Sequence, residues 1–129
     1  MISWSSKLQS TVALSSCEAE YIGQTNATKE AIWLRRLLNE IQPEAAYEAQ
    51  ATVIYCDNQG AIALAKNPQF HARTKHIDIQ HHFVRDKVSE GAVELQYVGT
   101  ESQVADGLSK ALDKIKFERF RKAIGLEQA

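Results

Sequence analysis

The chain has 129 residues, of which 44% are hydrophobic and 24% charged, and its formal net charge is −1. This length predicts a single domain over residues 1–129 with a real core, and the small net charge excludes a uniformly basic nucleic-acid-binding chain. No apolar run approaches the roughly 18 residues of a membrane span, and the first residues lack the features of a signal peptide. Cys17 and Cys56 have no CxxC spacing, which predicts reduced thiols in an intracellular protein.

The hydrophobic pattern predicts strands and helices in the order β-α-β-α-α-β-α-α, which favours an α/β fold with crossover helices. The predicted elements are a strand over 2–6, a helix over 17–41, a strand over 51–56, a helix over 58–65, a helix over 77–90, a strand over 92–98, a short helix that carries Asp106, and a last amphipathic helix that ends at Gly125.

The long first helix has the clearest boundary signals. Ser15 and Glu18 have the spacing of a capping box, and Pro43 ends the helix. Six apolar residues at three- and four-residue steps predict its core-facing side. They are Ile22, Ala27, Ala31, Leu34, Leu38 and Ile41.

Weaker signals place the other helix ends and the aromatic side chains. Gly91 is predicted as the left-handed residue after the helix over 77–90, and Ser102 as the cap of the helix that carries Asp106. Trp4, Trp33 and Tyr97 are predicted at the core or its edge rather than as base-stacking platforms. The last helix would place its apolar residues inward and its lysines and arginines in water.

Three carboxylates stand in specific settings. Asp57 directly follows a predicted strand, the position at which open α/β sheets bind ligands. Glu20 lies near the start of the first helix, where Glu18 takes the capping role, and Asp106 lies near the start of a later one. Such acids often only compensate the helix dipole. Together, however, three carboxylates predict a divalent-metal site for phosphodiester hydrolysis.

Basic and histidine side chains collect between the two central predicted helices. Lys66, Arg73 and Lys75 are candidates for phosphate contacts or for a solvated loop. The four histidines have only a weak zinc-like spacing. They are His71, His76, His81 and His82.

Six sequence blocks, in order, resemble the ribonuclease H domain of copia-type LTR retrotransposon Pol polyproteins. They are ISWSSK (2–7), VALSSCEAEY (12–21), EAIWL (30–34), CDNQ (56–59), RTKHID (73–78) and QVADGLSK (103–110). The resemblance covers nearly the whole chain. It implies an RNase H-like mixed sheet flanked by helices.

The resemblance also implies an activity and a site. The family hydrolyses RNA in RNA–DNA hybrids with two metal ions, Mg²⁺ or Mn²⁺, and its catalytic metal ligands fall on Glu20, Asp57 and Asp106. Gln59 falls where the family contacts its substrate. Arg73, Lys75 and His76 complete the expected substrate-binding set. The implied setting is intracellular, in the cytoplasm, a virus-like particle or the nucleus.

One departure from the family pattern limits these expectations. The family's metal-bridging aspartate and its first two strands lie upstream of the ISWSSK block and have no counterpart in this chain. Three arrangements remain open: strand 2–6 pairs directly with strand 51–56, two chains share strands in a homodimer, or the chain works beside an upstream reverse-transcriptase segment. We therefore expect low or no cleavage from this chain alone. The alternative is an inactive truncated or domesticated module that binds nucleic acid or protein.

Overall fold

The computed structural model of the chain describes residues 2–45, 50–66 and 75–126, and for residues 75–81 it describes the backbone alone. This part of the chain is mixed α/β, as predicted, with four α-helices and a small parallel sheet. The elements are α1 (Ser16–Ile41), β1 (Thr52–Cys56), α2 (Gln59–Lys66), α3 (Lys75–Ser89), β2 (Val93–Tyr97) and α4 (Lys114–Ala123), with short 3₁₀ helices at Pro43–Ala45, Thr100–Ser102 and Val104–Leu108.

The chain divides into two compact units. Residues Ala13–Val98 form the sheet unit, which contains α1 to α3 and both strands. Met1–Val12 together with Gly99–Ala129 form the terminal unit, which contains α4 and the last two 3₁₀ helices. That the whole chain acts as one domain stays a prediction.

The sheet pairs β1 with β2 in parallel, in a register that runs from Thr52 opposite Val93 to Cys56 opposite Tyr97. The helices α2 and α3 form the connection between the two strands, because parallel neighbours need a long crossover. The resemblance implied a mixed sheet, and the described residues show only these two parallel strands.

The core of the sheet unit lies on one face of this sheet. Its buried residues are Tyr21, Cys56, Ala61, Ala65, Val84 and Leu95. On the opposite face Val53, Tyr55 and Gln96 are exposed. Parallel sheets are usually covered on both faces, so the one-sided cover leaves an open sheet face in this unit.

The buried side of α1 differs from the predicted apolar side. The buried residues are Tyr21, Gln24, Thr25, Thr28, Ala31 and Arg35, and of the six predicted positions only Ala31 is among them. Ile41 is 64% exposed. The polar residues are tolerated inside because each side chain makes at least one hydrogen bond: the Thr25 hydroxyl donates to the Tyr21 carbonyl at 3.0 Å, for example. Periodicity alone does not detect a buried polar face that bonds to its own helix.

Arg35 connects α1 to the start of β1. Its guanidinium donates to the Gln50 carbonyl and, at 3.1 Å, to the Thr52 hydroxyl. These bonds satisfy a nearly buried charge, and they fix the end of the strand opposite the end that carries Asp57.

The predicted strand over residues 2–6 is not formed in the described structure. Ile2 is 83% exposed and Trp4 64%. A strand needs a neighbour to accept its hydrogen bonds, and β1 and β2 pair with each other instead. Direct pairing of 2–6 with 51–56, one of the three arrangements left open, is therefore not observed in the described residues. Trp4, Trp33 and Tyr97, which were predicted at the core or its edge, are all more than half exposed.

Among the residues that the structure describes, no helix is both long enough and apolar enough to cross a membrane.

In the terminal unit, the 3₁₀ helix Val104–Leu108 and α4 each follow a defined cap residue. Gln103, not the predicted Ser102, occupies the cap position of the 3₁₀ helix Val104–Leu108. The Asp113 carboxylate caps α4 by accepting from the Lys116 amide at 2.9 Å. Phe117 on α4 is 52% exposed, so the predicted apolar side of this helix is only partly covered.

The ring of Phe120 lies so close to Gly107 that a side chain at position 107 would clash with it. A Cβ at position 107 would lie 2.3 Å from Cδ2 of Phe120, far inside van der Waals contact. We expect Gly107→Ala to destabilise the terminal unit by about 1–3 kcal/mol through overpacking. Amide hydrogen exchange over Lys114–Ala123 should accelerate by roughly 5- to 150-fold.

Gly99→Ala is the matched control for Gly107→Ala. A Cβ at Gly99 meets no atom within 4 Å, and its φ of −65° suits any residue. Exchange in this control should match the unmodified chain. Equal rates in the two variants would show that Phe120 does not occupy this space.

Candidate metal centre

Asp57 lies in the tight turn between β1 and α2. The strand ends at Cys56, and Asn58 starts the helix by accepting from the Ala61 amide at 3.0 Å through its side chain. Asp57 is the one residue between the end of the strand and the residue that caps the helix, so it is held at the carboxyl end of the strand. Its side chain is partly exposed. This is the predicted position for a site residue.

Glu20 lies in the second turn of α1, and the cap of that helix leaves it exposed. Ser15 Oγ accepts from the Glu18 amide at 3.1 Å, and the Glu18 carboxylate accepts from the Leu14 amide at 2.7 Å. The capping role that the sequence assigned to Glu18 is thus confirmed, although its carboxylate reaches Leu14 rather than Ser15.

The fold brings Glu20 and Asp57 together. A carboxylate oxygen of each and the sulfur of Cys56 all lie within 4.8 Å of one another. Two of the three predicted acids therefore meet, although they lie on different elements. The contact of α1 with β1 places them there.

Cys56 belongs to this cluster, and the sequence reading missed it as a site residue. Its side chain is 2% exposed, and its sulfur accepts from the Gln24 side-chain amide at 3.0 Å and from the Asn58 amide at 3.3 Å. The available signal was its position beside Asp57 at the strand end. Residues adjacent along a strand normally point to opposite faces, and here the chain turns immediately after Cys56.

Cys17 is a neighbouring thiol. Burial raises its pKa, and the nearby Cys56 raises it further. Both cysteines are free thiols, as predicted.

Tyr21 anchors the helix that carries Glu20. It is 1% exposed in the core, and burial raises the pKa of its phenol to about 12, although Arg85 acts in the opposite direction. Because Tyr21 is held inside, the adjacent Glu20 is fixed at the border of core and solvent.

Asp106 lies in the terminal unit, in the 3₁₀ helix Val104–Leu108. Its Oδ2 accepts from Lys110 Nζ at 2.6 Å, and its side chain is 27% exposed. It is not one of the three residues clustered in the sheet unit. Its role as a third metal ligand stays a prediction.

The predicted substrate-binding residues are only partly described. Gln59 is the exposed first residue of α2, two positions after Asp57. Lys75 and His76 lie at the start of α3, but their side chains are outside the described part. Arg73 and His71 lie outside the described residues altogether.

Comparison with known proteins gives close sequence relatives. The chain is 44% identical over 125 residues to a retrovirus-related Pol polyprotein from transposon TNT 1-94 of Nicotiana tabacum. It is 45% and 44% identical, over the same length, to those from transposons RE1 and RE2 of Arabidopsis thaliana. Each match covers 97% of this chain.

The matched segment is a small part of each relative. The chain spans 9% of the tobacco polyprotein and 8% of each Arabidopsis one. No protein-family model matches the chain, and no solved structure matches it significantly. The chain is therefore a homologue of a segment of retrovirus-related Pol polyproteins from transposons, which supports its origin in a retrotransposon Pol.

Proposed function

We propose that this chain is an RNase H-like domain of a copia-type retrotransposon Pol polyprotein, which hydrolyses the RNA strand of RNA–DNA hybrids with divalent metal ions. The convergence of Glu20 with Asp57 carries the proposal, because their carboxylate oxygens lie within 4.8 Å across two elements. The homology to Pol polyproteins supports it. The ribonuclease H family that the sequence blocks resemble acts on RNA–DNA hybrids, which are the substrate of the proposed reaction.

The residues of the cluster fit a hard divalent cation. Mg²⁺ prefers oxygen ligands and is commonly held by one or two carboxylates with several waters. Glu20 and Asp57 would hold it here, and the role of Asp106 as a further ligand stays an expectation from the resemblance. Bound metal ions of this kind activate a water and stabilise the leaving oxygen.

The chain's own groups orient the reactants. Asp57 sits on the short turn after a strand, so its carboxylate can direct the attacking water with little freedom. The water oxygen would bond to phosphorus as the water loses a proton to solvent, and the bond from phosphorus to the leaving ribose oxygen would break as that oxygen takes up a proton. Gln59, the exposed first residue of α2, would contact the nucleic acid. The 2′-hydroxyl and A-form shape distinguish RNA from DNA.

The test is cleavage of an end-labelled RNA–DNA hybrid by this chain in Mg²⁺ and then in Mn²⁺. We expect slow cleavage of the RNA strand and none of a matching DNA duplex. Glu20→Gln should reduce the rate by roughly a hundredfold or more, because a metal ligand loses its charge.

Glu18→Gln is the matched control, since Glu18 carries the same charge on the same helix but caps it. It should cleave at the unmodified rate. Equal losses in the two variants would overturn the proposed hydrolysis, and no cleavage in either metal would overturn hydrolysis by this chain alone.

The open sheet face favours a second candidate, a non-catalytic module that binds nucleic acid or protein, or that shares strands in a dimer. Each strand of the described sheet is hydrogen-bonded to one neighbour only, and Val53 and Tyr55 are exposed on its outer face. Unpaired strand edges invite pairing with another chain. Hybrid binding without cleavage, unchanged by Glu20→Gln, would select this candidate.

A further inference from the structure

The sulfur of Cys56 adds a soft ligand to a pair of hard ones. It lies within 4.8 Å of the carboxylate oxygens of both Glu20 and Asp57. Mg²⁺ takes oxygen ligands and makes no use of a thiolate. One sulfur with two carboxylate oxygens suits a thiophilic divalent cation such as Zn²⁺.

The spacing of the three atoms is close to what such a cation needs. Zinc binds sulfur at about 2.3 Å and carboxylate oxygen at about 2.0–2.2 Å, so tetrahedral ligands lie roughly 3.5 Å apart. The three atoms lie within 4.8 Å of one another, so binding needs a contraction of at most about 1.3 Å. Glu20 is exposed and has a long side chain, so it can supply that movement while the turn keeps Cys56 and Asp57 in place.

The surroundings of the sulfur provide independent support. Gln24 is 4% exposed, and its amide nitrogen lies 3.0 Å from the Cys56 sulfur. The oxygen of the same amide has no hydrogen-bond partner in the described structure. A buried polar atom of this kind calls for an explanation. Water bound to a cation beside Cys56 would provide the missing donor.

Two N–H groups also contact the sulfur, and the sulfur lies 3.6 Å from the Asn58 carbonyl oxygen. The Gln24 side chain and the Asn58 backbone both donate to the sulfur, and such outer contacts orient a ligand and tune its bond to the metal. The ligands lie at the edge of the core, with Asp57 partly exposed and Glu20 exposed. A cation can therefore enter from solvent, and a fourth position stays open to water.

We propose that Glu20, Cys56 and Asp57 form a site for a thiophilic divalent cation. Zinc is the expected ion, and water would take the fourth coordination position. Cys17 is a neighbour of this site and not a ligand. The inference does not depend on hydrolysis. If the proposed hydrolysis also holds, zinc competes with Mg²⁺, because the two ions share Glu20 and Asp57.

The test is a titration of the chain with Co²⁺ in the absence of nucleic acid, followed by its displacement with Zn²⁺. Cobalt replaces zinc, and a bound thiolate gives a sulfur-to-cobalt charge-transfer band in the near ultraviolet. We expect this band in the unmodified chain and its loss on adding Zn²⁺. The band should disappear in Cys56→Ser and persist in Cys17→Ser.

Glu20→Gln keeps the test decisive if Cys56→Ser does not fold, because Glu20 is exposed. It should retain the band and weaken cobalt binding by at least about tenfold, and Glu18→Gln should leave it unchanged. No band in the unmodified chain, a band that survives Cys56→Ser, or unaltered affinity in Glu20→Gln would overturn the site. Since the readout is spectroscopic, its failure is separate from a failure to cleave the hybrid.

Discussion

Replacing Asp57 with Asn is expected to lower the rate of RNA–DNA hybrid cleavage by roughly a thousandfold, which corresponds to about 4 kcal/mol of transition-state stabilisation. The two side chains have nearly the same shape, so the fold should be retained. The variant loses a negative charge and replaces a carboxylate oxygen with an amide N–H₂ that repels a cation. The loss should exceed that in Glu20→Gln, because Asp57 is held in the tight turn after β1 and Glu20 is exposed.

The rate is best measured in single-turnover cleavage of an end-labelled hybrid, with circular dichroism to show that the variant is folded. Asp86→Asn is the matched control: Asp86 is exposed on α3, in the same compact unit and outside the cluster. It should cleave like the unmodified chain. If Asp57→Asn did the same, Asp57 would not be a metal ligand for this reaction.

Replacing Leu95 with Ala is expected to lower the free energy of unfolding of the sheet unit by about 2–5 kcal/mol. Leu95 lies on β2, is 1% exposed and belongs to the core cluster. The substitution removes the buried methyl groups and leaves a cavity beside the strand pair. The part of the sheet that the structure describes has two strands and one covered face, so few other contacts compensate for the loss.

Urea unfolding followed by far-ultraviolet circular dichroism measures this change. Gln96→Ala is the control on the same strand, since Gln96 is exposed on the outer face, and it should change stability by no more than about 0.5 kcal/mol. Leu95→Met, which keeps the volume, should cost less than about 1.5 kcal/mol. A loss below about 1 kcal/mol for Leu95→Ala would contradict the packing described for β2.

Local signals in the sequence were sufficient for most element boundaries. The predicted helix over 17–41 is observed at Ser16–Ile41, because Ser15 caps its start and Pro43 follows its end. Gly91 has the predicted left-handed conformation, with φ of 71°. Alternation located β1 and β2 to within one residue at each end. Each of these features depends on residues only a few positions apart.

Features that depend on distant partners were not predictable in this way. The alternating residues 2–6 resemble a strand but have no strand neighbour, and α1 buries a polar side because its threonines bond to their own helix. The exposure of Trp4 and Trp33 has the same origin: an aromatic side chain is buried only where another element covers it.

The candidate site also combines features that neighbouring residues determine with features that depend on distant contacts. The sequence by itself determined that Asp57 follows a strand and that Glu18 takes the capping role in α1, because strand ends and caps are local. Only the tertiary structure decided that Glu20 meets Asp57, that the sulfur of Cys56 joins them, and that Asp106 belongs to the other compact unit. Contacts between elements follow from packing over the whole unit, and no short stretch of sequence specifies them.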